Sequence, residues 1–150
     1  MSSRSEVYEA AGRALESSQL FEFELGTALL ALDALESNGF IRQSSDAYSR
    51  LRTAVDGLTL GKSLKRIKGR LALDEDLESI FQEALDARNF LAHHLFKRNS
   101  LAILEPDGRM ELVSEIAIVS SKVKSAYAAA QGIAHALATK AVQAANDARA

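Results

Sequence analysis

Apolar residues recur along this chain at steps of three, four and seven, the spacing that places side chains on one stripe of an α-helix. From about Ser5 to Glu36, Val7, Ala11, Ala14, Phe21, Leu25, Leu29, Leu32 and Leu35 follow that rhythm and predict one long helix. Ser37-Asn38-Gly39 is its expected stop, because Gly and Asn tolerate the left-handed cap conformation. Gln43-Ser44-Ser45-Asp46 offers N-cap side chains for a short helix carrying Tyr48, Leu51, Val55 and Leu58. Gly57 and Gly61 predict a break there, and Thr59 is placed to cap a further short helix ending near Gly69.

Asp74-Glu75-Asp76 puts negative charge where a helix dipole favours it. The helix it opens carries Leu77, Ile80, Phe81, Ala84, Leu85, Phe90, Leu91 and Leu95, and is expected to end near Arg98-Asn99. Pro106-Asp107-Gly108 reads as a turn, with Leu101–Leu104 and Met110–Val113 as the arms of a small hairpin. From about Ser114 to Ala148 the chain is again helical. Ile116, Val119, Val123, Ala126, Ala130, Ile133 and Leu137 hold a three-four repeat over three heptads. The single proline and the abundance of Ala, Leu, Glu, Arg and Lys favour helix on propensity as well. The expected fold is all-α, an up-and-down bundle of four to five helices forming one domain over residues 1–150.

Charge narrows the function classes. With 18 Lys and Arg against 20 Asp and Glu, the net charge of −2 excludes a globally basic nucleic-acid binder and leaves room for a local patch. The densest basic cluster is Lys62, Lys65, Arg66, Lys68 and Arg70. It is read either as a solvated face or, through Lys62, Lys65 and Arg66, as a contact to an RNA backbone. The absence of cysteine excludes a disulfide framework, thiolate metal sites and a cysteine nucleophile. No apolar stretch reaches the ~18 residues of a membrane helix, and the N-terminus turns polar at once. A cytoplasmic protein with no membrane partner is expected. Tyr48 and Phe40 are candidates for stacking on bases, with core packing the alternative. Gly57-Leu58-Thr59-Leu60-Gly61-Lys62 lacks the spacing of a phosphate loop and has no strand before it.

Three histidines bound the remaining chemistry. His93 and His94 are adjacent in Ala87-Arg88-Asn89-Phe90-Leu91-Ala92-His93-His94-Leu95-Phe96, and His135 reads as a helix-face residue in the last helix. Arg88 and His93 are about 140° apart around a helix and about 7.5 Å apart along it, so a long arginine swinging toward the histidine is needed to join them. Such a pair suits phosphodiester chemistry. The guanidinium holds phosphate and neutralises developing charge, while the imidazole acts as general base or acid on a ribose hydroxyl or leaving oxygen. Asn89 can hydrogen-bond the phosphate or orient a neighbour. No metal or other cofactor is required. Glu22 and Glu24 on the first helix are candidates for orienting Arg88. Glu83 or Asp86 in trans, or Glu22 or Glu24 of the first helix, offer it ion pairs of a purely structural kind.

Arg88-Asn89-Phe90-Leu91-Ala92-His93, set in a helical chain, resembles the motif of the HEPN domains: Arg, a polar residue, three to five further residues, then His. The helical pattern extends the resemblance over roughly residues 5–145, while its sequence-specific part covers about ten. The resemblance implies an all-α bundle and a metal-independent endoribonuclease, or an RNA- or nucleotide-binding relative of one. It implies a homodimer whose two motifs line one cleft, with toxin–antitoxin or defence roles and an antitoxin or other partner protein. Arg88 and His93 would then be the catalytic pair, with Asn89 and His94 beside them. A toxin subgroup carries a tyrosine two positions after the histidine as acceptor for nucleotide transfer. Leu95 stands there, so that modification is not expected. Two other readings remain. One is a non-catalytic helical partner-binding or regulatory module in which Arg88 and His93 are structural. The other is a histidine phosphotransfer domain built on His94 and Lys97, against which Arg98 stands where a glycine is needed.

Overall fold

The computed structural model describes residues 2–36 and 46–150. Among these, six α-helices and one short 3-10 turn make up the regular structure, and no strand occurs. In chain order the helices are α1 (Arg4–Glu36), α2 (Asp46–Asp56), α3 (Leu60–Arg70), α4 (Glu75–His93), α5 (Leu95–Arg98) and α6 (Pro106–Asp147). The all-α class is as the periodicity predicts, and the described helices outnumber the four to five expected. The expected stop at Ser37-Asn38-Gly39, the start at Gln43-Ser44-Ser45 and the base-stacking candidate Phe40 lie outside the described residues. Tyr48 is half-buried.

Contacts divide the chain into two compact units. Unit 1 holds residues 1–21 and 75–127; unit 2 holds residues 22–74 and 128–150. The two long helices contribute to both, and each unit has its own buried side chains.

In unit 1 the core is built by Val7 and Ala14 of α1, Leu91 of α4, Leu95 of α5 and Leu112 and Ile116 of α6. Phe90, Ile103 and Val119 pack against it. Deeper along α4, Phe81 is fully buried and stacks on Phe21 with ring centroids 5.7 Å apart. The buried Ser18 satisfies its hydroxyl within α1 by donating to the Ala14 carbonyl at 3.0 Å, as a buried polar group must.

Two expectations for the segment after α4 are corrected here. The first is the end of that helix. α4 stops at His93, His94 leaves helical geometry at φ −125°, and a single turn, α5, completes the run to Arg98. The second is the hairpin. Residues 102–104 form a 3-10 turn, and Pro106 is the first residue of α6, which starts well before Ser114. Proline suits that position because its missing N–H would be unpaired there anyway. Gly108 lies so close to the connector that a Cβ would collide with the Ala102 carbonyl oxygen. Arg109 then clamps the loop, donating from Nη1 to the carbonyls of Ile103 and Leu104 at 3.1 and 3.0 Å, and from Nε to that of Ser2 at 2.7 Å. Asn99 donates to the Leu95 carbonyl at 2.9 Å and to Glu115 at 3.2 Å, joining the end of α5 to α6. The glycine and proline that signal a turn in sequence serve close packing at a helix start.

In unit 2 the middle of α1 is enclosed on all sides: Leu25, Gly26, Ala28, Leu29, Leu30, Ala31 and Leu32 are all buried. Gly26 permits this, since a Cβ there would stand 2.8 Å from Val55 Cγ1 of α2. Gly57 ends α2, and Thr59 caps α3 by accepting from the Lys62 N–H at 3.3 Å, both as expected. Leu60, Leu64 and Ile67 bury one face of α3, and Ala130, Ala134 and Leu137 of α6 are buried in the same unit.

Candidate functional site

The motif lies in unit 1. Arg88, Asn89 and His93 all belong to α4, and His94 occupies the break that follows. Arg88 and Asn89 are half-buried between the buried Ala87 and Leu91, whereas His93 and His94 are exposed. The difference follows from the helix period. The core takes residues 84, 87 and 91, and a residue two places beyond Leu91 points about 200° away from it.

Arg88 donates from Nη1 to the Asn89 side-chain oxygen at 3.4 Å, so the polar residue of the motif steadies the arginine. The His93 and His94 rings meet edge-on with centroids 6.4 Å apart. Of the candidate structural partners for Arg88, Asp86 accepts from Gln82 at 3.1 Å and Glu83 is exposed.

Lys97 and Arg98 extend the exposed histidines into a stretch of four basic side chains within six residues, 93 to 98. Among the described residues none of the four is ion-paired. The Arg98 guanidinium lies 5.6 Å from the centre of the Phe90 ring, a cation–π distance. Between these cations, Leu95 is buried and Phe96 is exposed. The Phe96 ring meets that of Tyr8 on α1, with centroids 5.9 Å apart and planes tilted by 57°. The two aromatic rings border an apolar groove of about 250 Å³ whose other walls are Ala11, Gly12, Leu15, Leu91 and Leu95. Reading from sequence missed Tyr8, Phe96 and Arg98 as a group. Phe96 and Arg98 stand beside the motif and were legible there, but nothing in sequence announces that α1 lays Tyr8 against them.

Glu22 and Glu24 belong to unit 2 and are both half-buried. Glu24 lines a shallow polar cleft of about 410 Å³ with Thr27, Gln131 and the exposed His135. Lys62, Lys65 and Arg66 are also in unit 2, exposed on the face of α3 opposite Leu60, Leu64 and Ile67. Among the described residues they have no ion pair. Arg70, the last residue of the same cluster, is taken up by α1. It pairs with Asp33 at 2.8 Å and Glu36 at 2.9 Å, and its Nε donates to Glu36 at 3.0 Å. The two contacts through Nη2 are ionic rather than well-directed hydrogen bonds. The Glu36 hydrogen bond, aided by Asp33, holds the Arg70 pKa above the ordinary arginine range against the opposing effect of burial.

Among the described residues no three His, Asp or Glu side chains are grouped so as to hold a metal ion, and no helix is long and apolar enough to cross a membrane. Comparison of the chain with protein-family models, with curated proteins and with solved structures gives no match.

Proposed function

We propose that this protein binds RNA and cleaves it without a metal, as a HEPN-like endoribonuclease, using Arg88 and His93 as phosphate holder and acid–base group. The observation that carries the reading is the exposed, unpaired His93 at the end of α4, beside His94, Lys97 and Arg98 and on the same helix as Arg88. Cleavage of a ribose-phosphate bond needs a group that takes a proton from the 2′-hydroxyl and one that returns a proton to the leaving oxygen. Exposed imidazoles supply both kinds of group. A phosphodiester also needs positive charge around it, and Lys97 and Arg98 supply it beside the histidines in a chain of net charge −2. Asn89 positions Arg88 through its side-chain oxygen. Lys62, Lys65 and Arg66 are a second candidate contact for the RNA backbone. In this reading the protein is a cytoplasmic homodimer whose two motifs face a common cleft, with a toxin–antitoxin or defence role and an antitoxin-like partner.

The test is an RNase assay in excess EDTA with mixed single-stranded and structured RNA. The parent is expected to cleave, and His93→Ala to lose about 100-fold or more, the scale of a positioned general acid or base. Arg88→Ala is expected to lose activity comparably. Equal cleavage by all three proteins, or none by the parent, overturns the reading.

The second reading, a non-catalytic partner-binding module, is favoured by the half-burial of Arg88 and its bond to Asn89. It predicts that Arg88→Ala lowers the melting temperature while His93→Ala changes neither stability nor nucleic-acid binding.

A further inference from the structure

We infer that the apolar groove of unit 1 receives one unpaired base of a single-stranded RNA, packed against the mutually tilted rings of Tyr8 and Phe96 so that it stacks on one and meets the other by its edge, while the side chains of residues 93–98 hold the flanking phosphates. This assignment rests on the RNA reading above and adds to it a base-binding subsite that adjoins the Arg88–His93 motif through Leu91.

Three observations converge on that occupant. The first is the exposure of the aromatic pair. Tyr8 is 54% and Phe96 42% exposed, large values for rings that already touch at 5.9 Å. Aromatic faces of this kind hold unpaired bases in single-strand binders, whatever the base.

The second is the shape and lining of the groove. At about 250 Å³ it is smaller than the ~300–1,000 Å³ of pockets that enclose drug-sized ligands. It is matched to one flat ring system rather than to a whole nucleotide. Its lining includes Gly12, in the interior of α1, where glycine weakens a helix. A Cβ at Gly12 would meet nothing within 4 Å, so packing does not require the glycine. Without a side chain, Gly12 adds no bulk to the lining of the groove.

The third is charge. His94 and Lys97 flank Leu95 and Phe96 in sequence, and all four basic side chains from His93 to Arg98 are exposed without an ion pair among the described residues. On the α1 side, Glu9 is taken up by Arg13, Glu6 accepts from the Ser3 N–H at 2.8 Å, and Glu16 is a further exposed carboxylate. An apolar slot bordered by aromatic rings and adjoining unneutralised cations complements a polyanion that carries flat apolar rings.

The experiment uses the full chain and a 2′-O-methyl RNA of about ten nucleotides with a central 2-aminopurine, titrated in EDTA at several salt concentrations. The probe lacks the attacking hydroxyl, so binding is read without cleavage. The parent is expected to bind it and quench the 2-aminopurine. Tyr8→Ala and Phe96→Ala are each expected to weaken binding about 5- to 150-fold, the range for loss of one stacking contact, with the quench lost and the salt slope unchanged. Tyr8→Phe and Phe96→Tyr keep a ring in place and are expected to retain both. Lys97→Ala is expected to reduce the salt slope by about one and to keep the quench at saturation.

Parent binding without a quench, unaffected by either alanine variant, overturns the base subsite and leaves the RNA reading standing. Absence of binding by the parent overturns both. Alanine variants that turn a dimer into a monomer at unchanged RNA affinity also overturn the subsite, and make the groove a contact for a second copy. Circular dichroism of each variant confirms that the helices remain.

Discussion

In unit 2, Arg52 and Arg70 are half-buried and committed. Arg52 lies 3.9 Å over the Phe23 ring, donates to Thr27 at 3.3 Å and pairs with Asp56 at 3.0 Å. Arg70 is gripped by Asp33 and Glu36. In unit 1, His93, His94, Lys97 and Arg98 are exposed, and none has a carboxylate partner among the described residues. The first pair of cations fastens helices to one another, α2 and α3 each to α1. The second group is held in place by apolar neighbours instead: Leu95 is buried beneath it, and Asn99 and Arg109 secure the chain that follows. A charge already satisfied by a neighbouring carboxylate has little left to offer a ligand. One that is left without a carboxylate partner stays available to an anion. Lys62, Lys65 and Arg66 are a useful third case, unpaired like the unit 1 cations but on the open face of α3.

The comparison breaks most severely at Gly108. Gly108→Ala drives a Cβ into the Ala102 carbonyl and displaces the connector that seats α5 against α6. A loss of about 3 kcal/mol or more is expected, read as a shift in the urea unfolding midpoint. A loss below ~1 kcal/mol would show that this connector does not hold the cationic turn in place.

Arg70→Ala comes next. A half-buried pair with two carboxylates lies between exposed pairs and buried ones, and about 1–2 kcal/mol is expected. Its pH dependence has a definite sign. A pKa raised on folding contributes stability that is complete below the unfolded value and is lost only as pH climbs through the folded one. The Arg70 contribution is therefore expected to stay constant across the alkaline range up to about pH 10. A decline in the parent-minus-variant difference between neutral pH and that limit would contradict it.

Gly12→Ala reverses the sign. With no atom to meet the new methyl, α1 is expected to gain about 0.5–1 kcal/mol, while 2-aminopurine RNA binds several-fold more weakly because the methyl adds bulk to the groove lining. Stabilisation without loss of binding would separate Gly12 from the groove's function.

The smallest effect is expected on α3. Lys62→Ala combined with Lys65→Ala is expected to change stability by less than about 0.5 kcal/mol. The salt slope of RNA binding is expected to fall by about two if both residues touch phosphates and to stay fixed if they do not. Setting that slope against Lys97→Ala decides which unpaired cluster the RNA follows.

How far the fold was legible is seen best at the long helices. The predicted stripe of α6, from Ile116 to Leu137, is buried or half-buried at every position, as is that of α1 from Val7 to Leu35. Thr59 caps α3 and Gly57 ends α2 as their chemistry suggests. These features are local: a period of 3.6 residues or one side-chain hydrogen bond specifies them. Pro106 and Gly108 misled because the same residues suit a turn and a helix start. The neighbour that decided between them, the Ala102 carbonyl, is located only once the chain has folded. Arg70 illustrates the limit at a site. In sequence it belongs to the basic cluster of Lys62 to Lys68, and only the approach of Asp33 and Glu36 removes it from that group.

The sequence by itself determined that the chain is helical, which side of each long helix is apolar, and that Arg88 and His93 share a helix near its end. Those are consequences of spacing along one chain segment. Tertiary structure alone decided that residues 28–32 are enclosed all round, that Arg70 is spent on carboxylates while Lys97 and Arg98 are not, and that Tyr8 meets Phe96 at a groove also lined by Gly12. Burial, pairing and concavity belong to pairs of segments distant in sequence, and the period of one helix carries no information about which neighbour will cover it.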